Sequence, residues 1–316
     1  MITLPISSAV LGLLFLFTFA LCFVLFHRFS NFLPLDRGRE LAFDGDVSKG
    51  KRTSAGILFV LPVCILSVVF FRLSIESYLY ILLIIMEMLA GYLDDNSKKP
   101  WGELKKGLID LFISCLGAYV FIYFNNTPFM FPLLGFSLTL PPIIAFVFAV
   151  ALIWGSINVT NICDGVDGLS SSLISMCLVF FLAASSKMYT MEDFSPVTML
   201  FLAGLLAYSY FNASPSTHLM GDAGSRALGV LIAITAFKSR APLLYIPFAI
   251  SIIFDGMSSL LKLTVLRVTK YKSFMRNIRT PLHDHVRDNL GFSDTQTVLR
   301  FSVFQFVISL FFYMFI

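Results

Sequence analysis

Two adjacent carboxylates, Asp94 and Asp95, end an apolar run in the string Gly91-Tyr92-Leu93-Asp94-Asp95. Paired acids at a membrane surface are costly unless a cation or a proton compensates them. Acids at a helix C-terminus also oppose the helix dipole, so stability does not explain them. The pair suits a general base, a metal ligand, or both; a solvated helix end is the plainer alternative. Glu87 lies seven residues before Asp94 and shares its helix face. A second string, NVTNICDGVDGL from Asn158 to Leu169, alternates Asn161, Asp164 and Asp167 with Gly165 and Gly168. Such a loop turns tightly and aims carboxylates and amides at a ligand, for example the N–H groups of a nucleobase. It lacks the ligand spacing and the closing Glu of a calcium loop. A capped turn between helices needs only one Asp and one Gly, and this loop has two of each.

The third string, FNASPSTHLMGDAGS from Phe211 to Ser225, sets Asn212, His218 and Asp222 ahead of a helix start. Gly221 and Gly224 allow close approach to a phosphate, and the helix start offers free N–H groups. An Asp there can hold Mg²⁺, which in turn holds a pyrophosphate. An ordinary N-cap explains Ser225 but not the whole string. The fourth string, Arg279-Thr280-Pro281-Leu282-His283-Asp284-His285, lies in a basic segment. Three of the four histidines (His218, His283, His285) fall in these strings, among cations and acids, where phosphate handling is their natural use. Two histidines at i, i+2 without a third soft ligand support zinc poorly. The fifth string, Ser48 to Gly56, carries Lys49, Lys51, Arg52 and Thr53; alone, it reads as a basic stop at a membrane surface.

The elements that must position these strings are membrane spans. The 316 residues are 57% hydrophobic and 13% charged, with mean hydropathy +0.84 and 35 Phe. A soluble domain carries roughly 25% charged residues, and no globular core absorbs such an apolar excess. A net charge of +4 is too small to suggest nucleic acid. The five cysteines are scattered without a CxxC pair and read as small core residues. The first apolar run follows no basic residue and precedes no cleavage-like site, so it reads as a retained span. A spanning helix needs ~20 mostly apolar residues. Ten candidates follow: 4–27, 55–72, 75–93, 106–124, 141–157, 169–185, 195–211, 225–237, 241–266 and 299–316, of which the eighth is short. No soluble domain or internal repeat is visible, so residues 1–316 read as a single all-α transmembrane catalytic domain.

Basic residues follow the odd-numbered spans: Arg28, Arg37, Arg39, Lys49, Lys51 and Arg52; Lys98, Lys99, Lys105 and Lys106; Arg267, Lys270, Lys272, Arg276, Arg279 and Arg287. The opposite loops are poor in charge. The positive-inside rule then places all five strings on the cytoplasmic side and both termini outside. Sorting of every polar string to one face is what a surface active site requires.

Together the strings KGKRTSAGI, GYLDD, NICDGVDGL, FNASPSTHLMGDAGS and PLHDHVRDNLGFSDTQ resemble the polyprenyl-phosphate N-acetylhexosamine-1-phosphate transferase superfamily. They are most similar to its phospho-N-acetylmuramoyl-pentapeptide-transferase branch. Their order and the ten-span layout match over essentially the whole chain. The resemblance implies a Mg²⁺-dependent transfer at a bacterial inner membrane, with the site facing the cytoplasm. The donor would be UDP-N-acetylmuramoyl-pentapeptide, the acceptor undecaprenyl phosphate, and the products lipid I and UMP. By motif, Asp222 would be the Mg²⁺ ligand, and Asp94 and Asp95 would be catalytic. Asn161, Asp164 and Asp167 would line the nucleoside site, and Asn212 would support the phosphate region. His283 and His285 would contact phosphate or sugar; Lys98 and Lys106, with Lys49 and Thr53, would help hold the anionic substrates. A homodimer is also implied. In-line attack by the lipid phosphate is the expected route, with a double displacement through an aspartyl intermediate as the alternative.

The departures from the family pattern fall on donor recognition. Asp284 stands inside the usual triple-His string, Val286 and Arg287 replace Phe-Glu, and Leu219 stands where an aromatic is common. Arg52 replaces a proline and Ala55 a glycine. A sibling transferase using UDP-N-acetylglucosamine shares the chemistry and differs in donor. A secondary transporter would instead use Glu87, Asp110 and Asp255 as ion sites near mid-membrane. Asp255 itself is expected either at a kink beside Gly256 or behind the site.

Overall fold

A computed structural model describes residues 7–38, 48–125, 129–132, 135–271 and 273–316. Residues 4–6 of the first expected span, Arg39 and Lys272 lie outside the described residues. The chain runs α1 (Ser8–Phe29), α2 (Ile57–Phe70), α3 (Ile75–Asp95), α4 (Glu103–Phe124), a hairpin β1 (Phe129–Phe131) and β2 (Phe136–Leu138), α5 (Pro142–Cys163), α6 (Leu169–Met188), α7 (Ser195–Asn212) and α8 (Gly221–Lys238). It continues through α9 (Tyr245–Phe248), α10 (Ile250–Thr269), α11 (Leu282–Leu290) and α12 (Asp294–Met314). The antiparallel hairpin, with Phe129 opposite Leu138, adds a small sheet that the all-α expectation lacks.

Local chemistry sets several helix starts. Ser7 and Ser74 cap α1 and α3 with their hydroxyls, and Ser293 with Gln296 closes a reciprocal capping box on α12. Among the described residues, six helices are long and apolar enough to cross a membrane, and the bent pair Pro242–Phe248 with Ile250–Thr269 makes up to a seventh. The chain is therefore a mostly helical, polytopic protein. The bend of 89° falls between Phe248 and Ile250, not at Gly256. Asp255 and Gly256 lie inside the continuous helix α10.

The eighth expected span is the hub. Every residue of α8 from Gly221 to Phe237 is buried, and the helix is packed between α3 and α5. Glycines permit that closeness. A Cβ on Gly91 would lie 2.3 Å from the Asp222 carbonyl carbon, and one on Gly229 would lie 2.6 Å from the Ile157 Cα. Because protein surrounds α8 on all sides, it can carry Asp222, Arg226 and Lys238.

Candidate active site

One end of the bundle collects the C-termini of α3 and α5, the N-termini of α4 and α8, the segment before α2, and α11. Lys106, in the first turn of α4, is the junction. Its ammonium lies 2.5 Å from an Asp94 carboxylate oxygen and 2.9 Å from Asp222 Oδ2. Asp94 and Asp222 are 5% and 8% exposed, while the Lys106 side chain keeps 27%. Two nearly buried acids thus share one half-exposed cation. The other Asp94 oxygen accepts the Trp101 backbone N–H at 2.6 Å, and Asp222 Oδ1 accepts the Asn161 amide at 2.9 Å. Asn161 also donates to the Ser225 hydroxyl at 3.0 Å. Asp95 turns the other way and accepts the Ser54 hydroxyl at 2.6 Å. Gly221, at φ +70°, lets the chain pass there, since a Cβ would lie 2.4 Å from Asp95 Oδ2.

The segment 52–56 packs directly against the stretch of chain that leads into α8. It runs beside residues 219–220: Leu219 N–H donates to the Arg52 carbonyl (2.7 Å), and Ala55 and Gly56 N–H donate to the carbonyls of Leu219 and Met220 (both 3.0 Å). Thr53 is buried and bonds through its backbone N–H to the Pro34 carbonyl at 2.9 Å. Burial and, secondarily, the neighbouring Arg52 hold the His218 imidazole below its ordinary range.

The 161–168 loop separates the carboxylate cluster from the histidines. Asp164 accepts the Ser170 hydroxyl. Asp167 accepts Lys51 Nζ at 3.2 Å and the Ser216 N–H and hydroxyl at 2.8 and 2.7 Å. Asn212 is 3% exposed and ties two loops, accepting the Gly168 N–H at 2.9 Å and donating to the His218 carbonyl at 3.0 Å. Gly165 lies against the imidazole of His283, where a Cβ would approach Nε2 to 2.3 Å. His283 therefore reaches the same loop that Asn161 opens.

Asp255 orients His283. It is fully buried, accepts the His283 backbone N–H at 2.8 Å and faces ring Nδ1 at 2.6 Å. This holds the ring with Nε2 toward Gly165. The only sequence signal was an acid inside an apolar span; the partner, 28 positions later, is brought in by folding. His285 is half-buried and its Nδ1 accepts the Arg279 N–H at 3.3 Å. Asp284 lies between Arg287 (3.6 Å) and Arg279 (3.9 Å). Two of the three unusual residues of this string, Asp284 and Arg287, thus face each other. Lys49 and Lys98 are exposed, and no described contact joins either ammonium to the cluster.

Among the described residues, no group of three His, Cys, Asp or Glu side chains is arranged to hold a metal alone. Mg²⁺ does not require one: it is commonly held by one or two carboxylates plus substrate phosphates and water. The donor set fits, because Asp94 and Asp222 already converge on one cation and both offer hard oxygens. Beside the cluster, α4, α5 and α10 enclose a groove of 760 Å³, lined by Leu104, Leu108, Leu111, Trp154, Leu260 and Leu263. Gly107, next to Lys106, also lines it.

The family model for glycosyl transferase family 4 matches residues 77–240. A phospho-N-acetylmuramoyl-pentapeptide-transferase of Treponema pallidum (strain Nichols) is 38% identical, over 87% of this chain and 80% of the relative. Proteins of the same name from Chlamydia abortus and Clostridium acetobutylicum are 31% and 27% identical, over 79% and 86% of this chain and 76% and 88% of their own.

Proposed function

The chain belongs to glycosyl transferase family 4, and from that premise we propose that it transfers phospho-N-acetylmuramoyl-pentapeptide from its UDP-linked donor, UDP-N-acetylmuramoyl-pentapeptide, to undecaprenyl phosphate. The products are lipid I and UMP, made in peptidoglycan synthesis. The observation that carries this reading is Lys106 held between Asp94 and Asp222, with the next residue, Gly107, lining a groove of mostly apolar side chains. Two anionic phosphates must meet here, and such a site offers both a cation to receive them and carboxylates to handle a proton or a metal.

In the proposed reaction an oxygen of the lipid phosphate attacks the phosphorus attached to the sugar. The bond from that phosphorus to the bridging oxygen breaks, and UMP leaves with the electron pair. Asp94 and Asp95 orient the attacking phosphate and take any proton it carries. Lys106 moves from the carboxylates to the phosphates, which its exposed side chain permits. Asn161, Asp164 and Asp167 face the nucleoside, with Asn212 bracing their loop. His283 and His285 stand on the phosphate and sugar side, Lys49 and Lys98 contribute at the rim, and Thr53 contributes from its buried position before α2. Asp222, with Asp94 beside it, would hold Mg²⁺, which supplies screening of the phosphate charge. The polyprenyl tail lies in the groove between α4 and α10.

The same reading sets ten spans, α7, α8 and α2 among them, with both termini outside and the site cytoplasmic at a bacterial inner membrane. A homodimer belongs to it by resemblance. The facing pair Asp284 and Arg287 favours a second reading only for the donor, a sibling UDP-sugar such as UDP-N-acetylglucosamine. Mass spectrometry of lipid extracted after incubation with both donors decides. A muramoyl-pentapeptide-linked lipid is expected, and a lipid carrying only N-acetylglucosamine overturns the donor assignment. Asp284→His is expected to shift the ratio of the two products; an unchanged ratio removes this residue from donor choice.

A further inference from the structure

Below the cluster, one helical turn deeper in the bundle, lies a second layer of charge that the reaction as written leaves unused. Arg226 is 2% exposed, and its Nη2 lies 2.8 Å from Glu87 and in contact with Asp110. Glu87 and Asp110 are 0% and 3% exposed. The same three helices supply both layers. Above, the acids stand on α3 (Asp94) and α8 (Asp222), with the cation on α4 (Lys106). Below, the acids stand on α3 (Glu87) and α4 (Asp110), with the cation on α8 (Arg226). The spacings are two turns on α3 and one turn each on α4 and α8, so each residue of the lower layer shares a helix face with the one above it.

Stability does not account for the lower layer. Burying an ion triad costs about as much as its attraction returns, and well-packed apolar residues often serve as well. Ionisable groups within a membrane bundle are expensive and usually functional. The geometry also leaves a loose end. Arg226 Nε and Nη1 have no hydrogen-bond acceptor among the described residues, and Nη1 lies 3.9 Å from Asp222 Oδ2. That is the oxygen Lys106 holds at 2.9 Å. One carboxylate oxygen therefore stands between a half-exposed, movable cation and a buried, fixed one.

We propose that Arg226, anchored by Glu87 and Asp110, is a positioning residue that keeps Asp222 in place when Lys106 turns to the substrate phosphates. The proposal rests on the transferase reading for its chemistry. It rests on the two layers alone for the coupling between Arg226 and Asp222. With the anchor gone, Asp222 would swing as Lys106 departs, and the cost would fall on the chemical step rather than on donor binding.

The test uses full-length protein in detergent and compares Arg226→Met, Arg226→Lys and the apolar triple variant Glu87→Leu/Asp110→Leu/Arg226→Leu. Arg226→Met is expected to lower kcat at least tenfold with donor KM within about twofold, and Arg226→Lys to recover much of the rate. The triple variant is expected to match the wild-type melting midpoint yet stay at least tenfold slow. A triple variant with wild-type turnover, or Arg226→Lys as slow as Arg226→Met at equal stability, overturns the proposal. A double-mutant cycle of Arg226→Met with Asp222→Asn, read on the denaturation midpoint, needs no turnover. Non-additive shifts support the coupling and additive ones refute it. Wild-type protein that releases no UMP would count against the transferase reading, and the cycle would still decide the role of Arg226.

Discussion

Asp255→Asn separates the orientation of His283 from its presence. The carboxylate of Asp255 is fully buried and serves His283 twice, through the backbone N–H at 2.8 Å and ring Nδ1 at 2.6 Å. Asparagine keeps the shape and one acceptor, so the backbone bond survives. The contact to Nδ1 does not survive unchanged. A carboxylate there requires a proton on Nδ1 and leaves Nε2 as an acceptor toward Gly165; an amide N–H in its place favours the opposite tautomer. Loss of one hydrogen bond to a charged group is worth about 1.5–3 kcal/mol. At about 1.36 kcal/mol per decade of rate, that is roughly a 10- to 150-fold fall in kcat. UMP release at saturating donor measures it, with the melting midpoint of each variant as the control for folding. Asp255→Ala, which also orphans the buried backbone N–H, should be slower still and less stable. If Asp255→Asn turns over within twofold of wild type, His283 takes no part through Nε2.

Other outcomes follow from the same geometry. Asp222→Asn should abolish turnover while the protein stays folded, and normal turnover in that variant would remove Asp222 from the metal site. Lys106→Met leaves two buried acids without their shared cation, which should cost on the order of 3 kcal/mol of stability and lower the melting midpoint, and Lys106→Arg should lose less. On the opposite end of the bundle, Lys238 joins Glu76 at 2.8 Å and Asp193 at 3.0 Å, and Ser74 and Ser77 donate to Asp193. Burial pushes the pKa of Asp193 up, but these two hydroxyls and Lys238 outweigh it and bring the carboxyl to about 2. Its folded value is depressed, so this clasp contributes fully above the usual carboxylate range and is lost as pH falls from 3.8 through about 2. Acid titration of Asp193→Asn beside wild type checks this: the two should differ in stability at about pH 5 and converge by about pH 2.

Much of the site was legible because its residues announce themselves locally. Asp94 and Asp95 close a helix where acids are unfavourable, and Asp222 stands between glycines at a helix start. Their gathering at one end followed from topology alone. What stayed hidden depends on packing between distant segments. Asp255 looked like an isolated acid in an apolar span until α11 brought His283 to it. Glu87 and Asp110 were visible as buried-looking acids, but their partner Arg226 sits inside a string whose glycines and Asp222 drew the reading toward phosphate binding. In the string Ser48 to Gly56 the charges are conspicuous, while the close packing of Gly56 on Gly224 of α8 depends on a partner that only the fold supplies. The bend before α10 follows a stretch with Pro242 and Pro247, and it falls between Phe248 and Ile250 rather than beside Gly256.

The most direct measurement is UMP release by the purified protein in detergent, supplied with undecaprenyl phosphate and Mg²⁺. UDP-N-acetylmuramoyl-pentapeptide and UDP-N-acetylglucosamine are offered as separate donors. Release with the first donor, dependent on the lipid and lost in Asp222→Asn, is the predicted result. Release with the second donor alone, or with neither, would contradict it.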